Sequence, residues 1–428
     1  MSEVITAKDE RYDEMFQVEK EVRVFGMELI EDPYPAFRKM LSTAPVMKGT
    51  LSECMGLKPE LSGLMYTPGP VYYTAVSFNA VNDAFMDNVT YSSDFYNQHM
   101  DVQQQLGDTI FSMGGPRHRS FRDVIQSHFQ PGAAVSWWGE KVIKGPVELL
   151  ISSIEKNGRA DLNADFFARL PMHVVAAGFG LSPEQGLGFR DAMQKLFAPT
   201  VSDAEKGAAL KESLAILGEV ITERQKEPRD DIITRLTQAK LKEADGSTRA
   251  LTLQEILDFC RFIVFAGGGT TWRQLGITTL ALLENPDQLE KVKKDRSLIP
   301  NAILEAARWQ PTNPMFPRLV TKDTVLQGVE IPKGAGLHLC MGSANRDPSR
   351  WENPDKFDVE RPMQRSVAFG TGVHACLGQH VARQEIVMSL NAIFDRLPNV
   401  RLDPARPAPQ IIGGLMGRGP GPLHVVYG

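Results

Sequence analysis

From Leu253 to about Glu284 the chain reads as one apolar helical pattern, and Asn285-Pro286 closes it by starting the next helix. At 1.5 Å per residue such a helix is roughly 45–50 Å long, so the rest of the fold has to be built around it. Its middle is VFAGGGTTW, Val264–Trp272. Three consecutive glycines in a helix interior cost roughly 3 kcal/mol relative to alanines. A tight helix crossing explains one glycine well and three in a row poorly. The segment therefore needs the missing side chains to be missing.

Around this element the pattern is helix-rich. Asp32-Pro33-Tyr34-Pro35 precedes a helical run from Ala36 to about Ser42, and Lys48–Pro70 reads as irregular. Val71–Phe78 (VYYTAVSF) has the β-branched and aromatic content of a strand. From Pro116 to about Ala239 nearly everything reads as helix, broken at Pro131, Pro183, Pro199 and Pro228. Asp245-Gly246 marks a turn, and Pro300–Trp309 a helix stopped by Pro311. TVLQGVEIPKGAGLHL from Thr324 alternates as hairpin strands do; a coil runs to Ser366, and Leu377–Arg396 forms a helix before a hairpin-like tail. The expected class is mainly α with a small β region. No linker divides the chain, so a single domain over 1–428 is expected, with residues 1–30 as an N-terminal arm.

The bulk numbers narrow the function. A net charge of −5, from 47 basic and 52 acidic residues, argues against nucleic-acid binding by overall charge. The charged N-terminus MSEVITAKDERYDE lacks a signal peptide's apolar core, and no apolar run reaches the ~18 residues of a membrane span. A cytoplasmic protein with no membrane anchor is expected. Its cysteines, Cys54, Cys260, Cys340 and Cys376, show neither CxxC pairs nor zinc-finger spacing, which points to a reduced compartment and no structural zinc.

One cysteine stands apart. In FGTGVHACLG, Phe369–Gly378, Cys376 lies just before a helix start, in a loop with Gly370, Gly372 and Gly378. The helix dipole and free N–H groups there favour a thiolate over a thiol, and a thiolate suits a soft metal or haem iron. The glycines let the backbone fold tightly around the sulfur and let a flat macrocycle approach, while Phe369 shields it from water.

FGxGxHxCxG resembles the haem-binding loop of the cytochrome P450 family, the haem-thiolate monooxygenases, and in particular its soluble bacterial members. The resemblance runs from Asp32 to the C-terminal tail. It implies haem b (iron protoporphyrin IX) with Cys376 as the proximal iron ligand. Glu305-Ala306-Ala307-Arg308 is similar to the family's buried ExxR pair, with Arg361 of FDVERP as the third member of a structural network. GGPRHRSFR carries His118 and Arg122 four apart on one helical face; with Arg318 and His374 they match the family's haem-propionate residues. Ala266–Thr271 resembles its oxygen-binding groove, with Thr270 beside the bound dioxygen and Thr271 next to it. Here the chain departs from the pattern: Gly269 stands where the family usually has Asp or Glu, and Thr270, Thr271 and ordered water are expected to deliver protons instead.

The implied reaction inserts one oxygen atom of dioxygen into a hydrophobic small molecule, by hydroxylation or epoxidation. With no fused reductase, electrons are expected from a separate ferredoxin-type donor. Arg117, Arg119 and Arg122 offer a basic docking patch for it, or simple solvation for the first two. By family position the substrate meets Phe262, Phe265, Ala266, Pro314, Met315, Leu415 and Met416. Tyr96–Met113 and Phe197–Val201 are left unassigned between pocket and surface. The other readings are a peroxide-driven peroxygenase, a non-oxygenating rearrangement at the same iron, and a haem-based ligand sensor.

Overall fold

The computed structural model of the protein describes residues 30–98, 107–197, 201–362 and 364–428. The N-terminal arm up to residue 29, residues 99–106 of the first unassigned segment and 198–200 of the second lie outside that description.

The long helix is Leu253–Glu284, 32 residues. Thr252 starts it: its hydroxyl accepts from the Glu255 amide at 3.2 Å, and the Glu255 carboxylate accepts from the Thr252 amide at 2.7 Å. This reciprocal pair satisfies two N–H groups that a helix start would otherwise leave open. Helices Leu170–Phe179, Asp203–Lys226, Ile299–Trp309 and Gln379–Arg396 pack around it. Ile256, Cys260, Trp272, Leu275 and Ile277 are accordingly all buried. A helix apolar around its whole circumference belongs inside a bundle, and this one runs through the centre of the main apolar core. In its middle, Phe265–Thr270 is a continuous half-exposed stretch, and it contains the three glycines.

Beside the helices lies a five-stranded sheet in the order Val46–Lys48, Tyr72–Ala75, Gly336–Cys340, Met315–Val320, Tyr91–Ser92. Gly336–Cys340 runs parallel to Tyr72–Ala75 and antiparallel to Met315–Val320, with Leu337 opposite Arg318. The hairpin Thr324–Leu326 with Val329–Ile331 turns at Gln327 (φ 48°) and Gly328 (φ 84°), both left-handed as a tight hairpin of this kind requires. Among the described residues no helix is long and apolar enough to cross a membrane.

Several boundaries differ from the sequence reading. The strand read over Val71–Phe78 ends at Ala75, because the Ser77 hydroxyl caps the Ala80 amide at 3.2 Å and Phe78–Met86 is a helix. The helical stretch after Pro116 is interrupted by Arg159–Asp161, a strand recruited by pairing with His424–Val426 at the far end of the chain. The C-terminal helix begins at Gln379 rather than Leu377. The irregular Lys48–Pro70 segment has structure of its own: Leu51–Cys54 is helical with a Thr50/Glu53 capping box, followed by the turn-rich Pro59–Met65. His338, in the middle of the sheet, holds it down. Its Nδ1 accepts from the Leu51 amide at 3.0 Å and its Nε2 donates to the Met65 carbonyl at 2.7 Å.

Candidate functional site

The cysteine loop is folded by its glycines and its own backbone. Gly370 (φ 66°) and Gly372 (φ 71°) both take the left-handed conformation. A methyl group on Gly372 would also stand 2.6 Å from the Phe85 carbonyl oxygen. Bonds from Gly370 to Val367 (2.9 Å), Ala375 to Gly372 (3.2 Å) and Cys376 to Phe369 (2.8 Å) then close the loop. Cys376 is exposed, yet burial pushes its thiol above the usual range.

The backbone amides of Gly378 and Gln379 and the charge of Arg122 do pull the pKa down, but desolvation outweighs them. A cation at the sulfur would reverse the balance, since coordination deprotonates a thiol outright.

Four side chains from three elements converge at the loop. His118, on helix Gly115–Gln126, and His374 lie with ring centroids 4.0 Å apart. The Nε2 atoms of both are buried and have no hydrogen-bond partner. Burial, reinforced by neighbouring positive charge, lowers His118 to about 4 and lowers His374 further, so both rings are neutral at pH 7. Arg318 is buried, donates to the Pro317 carbonyl at 2.8 Å and lies 5.1 Å from the Phe85 ring centre. Arg122 donates to the Ala375 carbonyl and to Gln126 Oε1, each at 2.7 Å, so one arm braces the cysteine loop itself. Buried polar atoms are nearly always satisfied. Two orphaned imidazole nitrogens flanked by two desolvated guanidinium groups fit an anionic ligand, as the two propionates of haem would be. Arg117, by contrast, is ion-paired to Asp108 and stacked on Phe121. Arg119 is exposed.

Within the long helix the Thr270 hydroxyl donates to the Ala266 carbonyl at 2.7 Å, and Thr271 is buried. A methyl on Gly267, Gly268 or Gly378 would meet no protein atom within 4 Å. Protein packing therefore does not require glycine at these three positions, whereas a flat macrocycle lying against them would. With the accessible sulfur and the orphaned histidines, the residues present fit haem.

Glu305 and Arg308 are both buried and make a two-pronged pair, Nε to Oε2 at 2.7 Å and Nη2 to Oε1 at 2.8 Å. Arg361 Nε adds a bond to Oε1 at 2.9 Å, and the Asp358 amide another at 3.1 Å. Arg308 also donates to the Asn345 carbonyl at 2.9 Å and the Pro354 carbonyl at 2.8 Å. The network thus fastens the coil before the cysteine loop to helix Ile299–Trp309.

The apolar residues divide. Phe265, Met315, Leu415 and Met416 share one cluster with Met65, Tyr96, Phe111 and Phe316. Phe262 joins it through Phe111, ring centroids 6.0 Å apart. Pro314 packs towards Gly342, whose amide bonds its carbonyl at 2.9 Å. Sequence reasoning missed Tyr96, which stacks on Phe111 at 4.1 Å and hydrogen-bonds Arg318.

Comparison with known proteins gives one family. A cytochrome P450 family model matches residues 191–412. The steroid C26-monooxygenase of Rhodococcus jostii is 30% identical over 382 residues, covering 86% of this chain and 77% of that protein. The mycinamicin IV hydroxylase/epoxidase of Micromonospora griseorubida is 30% identical over 322 residues, covering 74% and 79%. The crystal structure of a Bacillus megaterium P450 with testosterone superposes at a TM-score of 0.79 and 25% identity, covering 92% of this chain and 99% of that one.

Proposed function

The chain belongs to the cytochrome P450 family of haem monooxygenases, and from that premise we propose that it hydroxylates or epoxidises a hydrophobic small molecule in the cytoplasm with electrons from a separate ferredoxin-type donor. In this reading Cys376 ligates the iron, and His118, Arg122, Arg318 and His374 hold the propionates. When bound, haem supplies oxygen activation. The chain's residues do the rest. The Glu305–Arg308–Arg361 network keeps the cysteine loop in place, Thr270 presents a hydroxyl in the groove opened by the glycines, and Phe262, Phe265, Leu415 and Met416 exclude water and hold apolar substrate.

The observation that carries the reading is the pair of orphaned Nε2 atoms on His118 and His374, side by side between two arginines and next to the accessible sulfur. The relatives' names support the substrate class: one acts on a steroid, another on mycinamicin IV. The test is turnover with NADH and a surrogate ferredoxin and reductase over a panel of steroids, macrolides and fatty acids. Products carrying one added oxygen atom are expected from apolar members. Gly269 favours one second reading, a peroxide-driven enzyme, because peroxide brings its own protons. Product formed with hydrogen peroxide, and none with the electron donor, would select it.

A further inference from the structure

Near its end the chain turns back between the short paired strands Ile411–Ile412 and Gly419–Pro420, and this turn carries Leu415 and Met416. Gly413 (φ 102°) and Gly417 (φ 67°) are left-handed, and a methyl on Gly413 would stand 2.7 Å from the Gly417 carbonyl oxygen. Arg418 fastens the turn to its surroundings. Its Nη1 donates to the Ile30 carbonyl at 2.6 Å and to the Gly413 and Gly414 carbonyls at 3.1 and 3.3 Å. Its Nη2 donates to the Glu31 carbonyl at 3.0 Å, and its own amide to the Thr312 carbonyl at 2.7 Å. One side chain, 1% exposed, thus ties the turn to chain 388 positions earlier.

Burying a guanidinium is costly, and apolar packing alone would be served better by a leucine or methionine. Burial does work against the charge of Arg418, with Tyr34 and Asp32 supporting it. What the guanidinium adds is a rigid fork of donors that meets carbonyls of two separate segments at once. The side chains that the turn carries, Leu415 and Met416, pack in one apolar cluster with Phe265, Met315 and Phe316. Phe265 in turn opens the half-exposed stretch of the long helix.

We propose that Arg418 is a positioning residue for substrate selectivity: it holds the Leu415–Met416 turn against the Ile30–Glu31 segment, so that this apolar wall of the pocket keeps its shape. The proposal rests on the monooxygenase reading and adds to it a residue that itself touches no substrate. A turn released from Ile30 and Glu31 leaves the cysteine loop as it was and moves only the wall. Bulky molecules then lose contacts, and small ones do not.

The test uses the ferric holoprotein and two neutral azoles read by haem absorbance: imidazole, which meets little beyond the iron, and clotrimazole, whose triaryl group must pack against the walls. Arg418→Gln should raise the clotrimazole Kd at least about fivefold, less than the full worth of one buried leucine, and leave the imidazole Kd within about twofold. Leu415→Ala should do the same. The double variant should be little worse than the poorer single one, because both changes remove the same wall contact. Arg418→Lys keeps a charge but cannot span both segments. It should show a smaller loss of the same kind, which keeps the test open if Arg418→Gln does not fold. With the wild-type haem spectrum retained, unchanged clotrimazole binding in Arg418→Gln, or in Arg418→Lys where the glutamine variant fails to fold, would overturn the proposal. So would equal loss of both azoles, or losses that add in the double variant, since either reduces Arg418 to fold stability. A Leu415→Ala variant with both azoles unchanged would overturn it through the pocket assignment on which it rests. A wild-type chain that takes up no haem would defeat the underlying family reading instead.

Discussion

Replacing Glu305 by glutamine removes one charge and almost no volume, so its cost measures the network directly. Oε1 accepts from Arg308 Nη2, Arg361 Nε and the Asp358 amide, and Oε2 from Arg308 Nε, all within 2.7–3.1 Å. Glutamine keeps one accepting oxygen and turns an NH2 group against a guanidinium N–H. Arg308, 2% exposed, is then a buried cation without a counter-charge. Breaking a buried pair from one side costs about 3–5 kcal/mol, against a total stability of about 5–15 kcal/mol. At 1.4 kcal/mol per factor of ten, the unfolded fraction should rise by roughly two to three and a half orders of magnitude. Urea unfolding and haem content per chain are the assays. Glu305→Gln should show a midpoint lowered by that equivalent and incomplete haem loading. A loss under about 1 kcal/mol with full haem content would refute the idea that the network holds the haem-binding core in shape.

The glycines of the cysteine loop should separate by role. Gly372→Ala meets the Phe85 carbonyl at 2.6 Å in a left-handed backbone, so it should destabilise the chain by at least about 2 kcal/mol even before haem is added; wild-type urea midpoints would contradict this. Gly378→Ala meets no protein atom, so the apo chain should keep its urea midpoint while haem affinity falls, as titration of hemin into apoprotein would show. Acid sensitivity has a further source in His338, whose pKa burial lowers from 6.5 to about 4. The unfolded chain takes up this proton first, so stability should fall between about pH 6.5 and pH 4, by on the order of 3 kcal/mol, and level off below. His338→Gln does not titrate and should flatten that limb of the urea-midpoint profile; an unchanged slope would mean other groups carry it.

The parts of the fold that announce themselves locally were legible. The long helix and its end at Asn285-Pro286 follow from periodicity and a proline stop. The loop around Cys376 was legible because glycine, histidine and cysteine in that spacing have few other uses. The strand Arg159–Asp161 was not, because its partner His424–Val426 lies at the other end of the chain and nothing local requires pairing. The environment of Cys376 was legible in part: the helix start whose amides favour a thiolate is visible in sequence, whereas the desolvation that opposes them depends on the whole surrounding fold. Gly269 was readable only as an acid lost. That a methyl there would stand 2.9 Å from Nη1 of Arg273 requires three dimensions.

The most direct measurement is the carbon monoxide difference spectrum of the reduced protein, recorded for the wild type and for Cys376→Ala. The account predicts the red-shifted Soret band of thiolate-ligated haem in the wild type and its loss in the variant. A thiolate-type band that survives removal of Cys376, or a wild-type protein that never shows one, would contradict the assignment of this sulfur as the iron ligand.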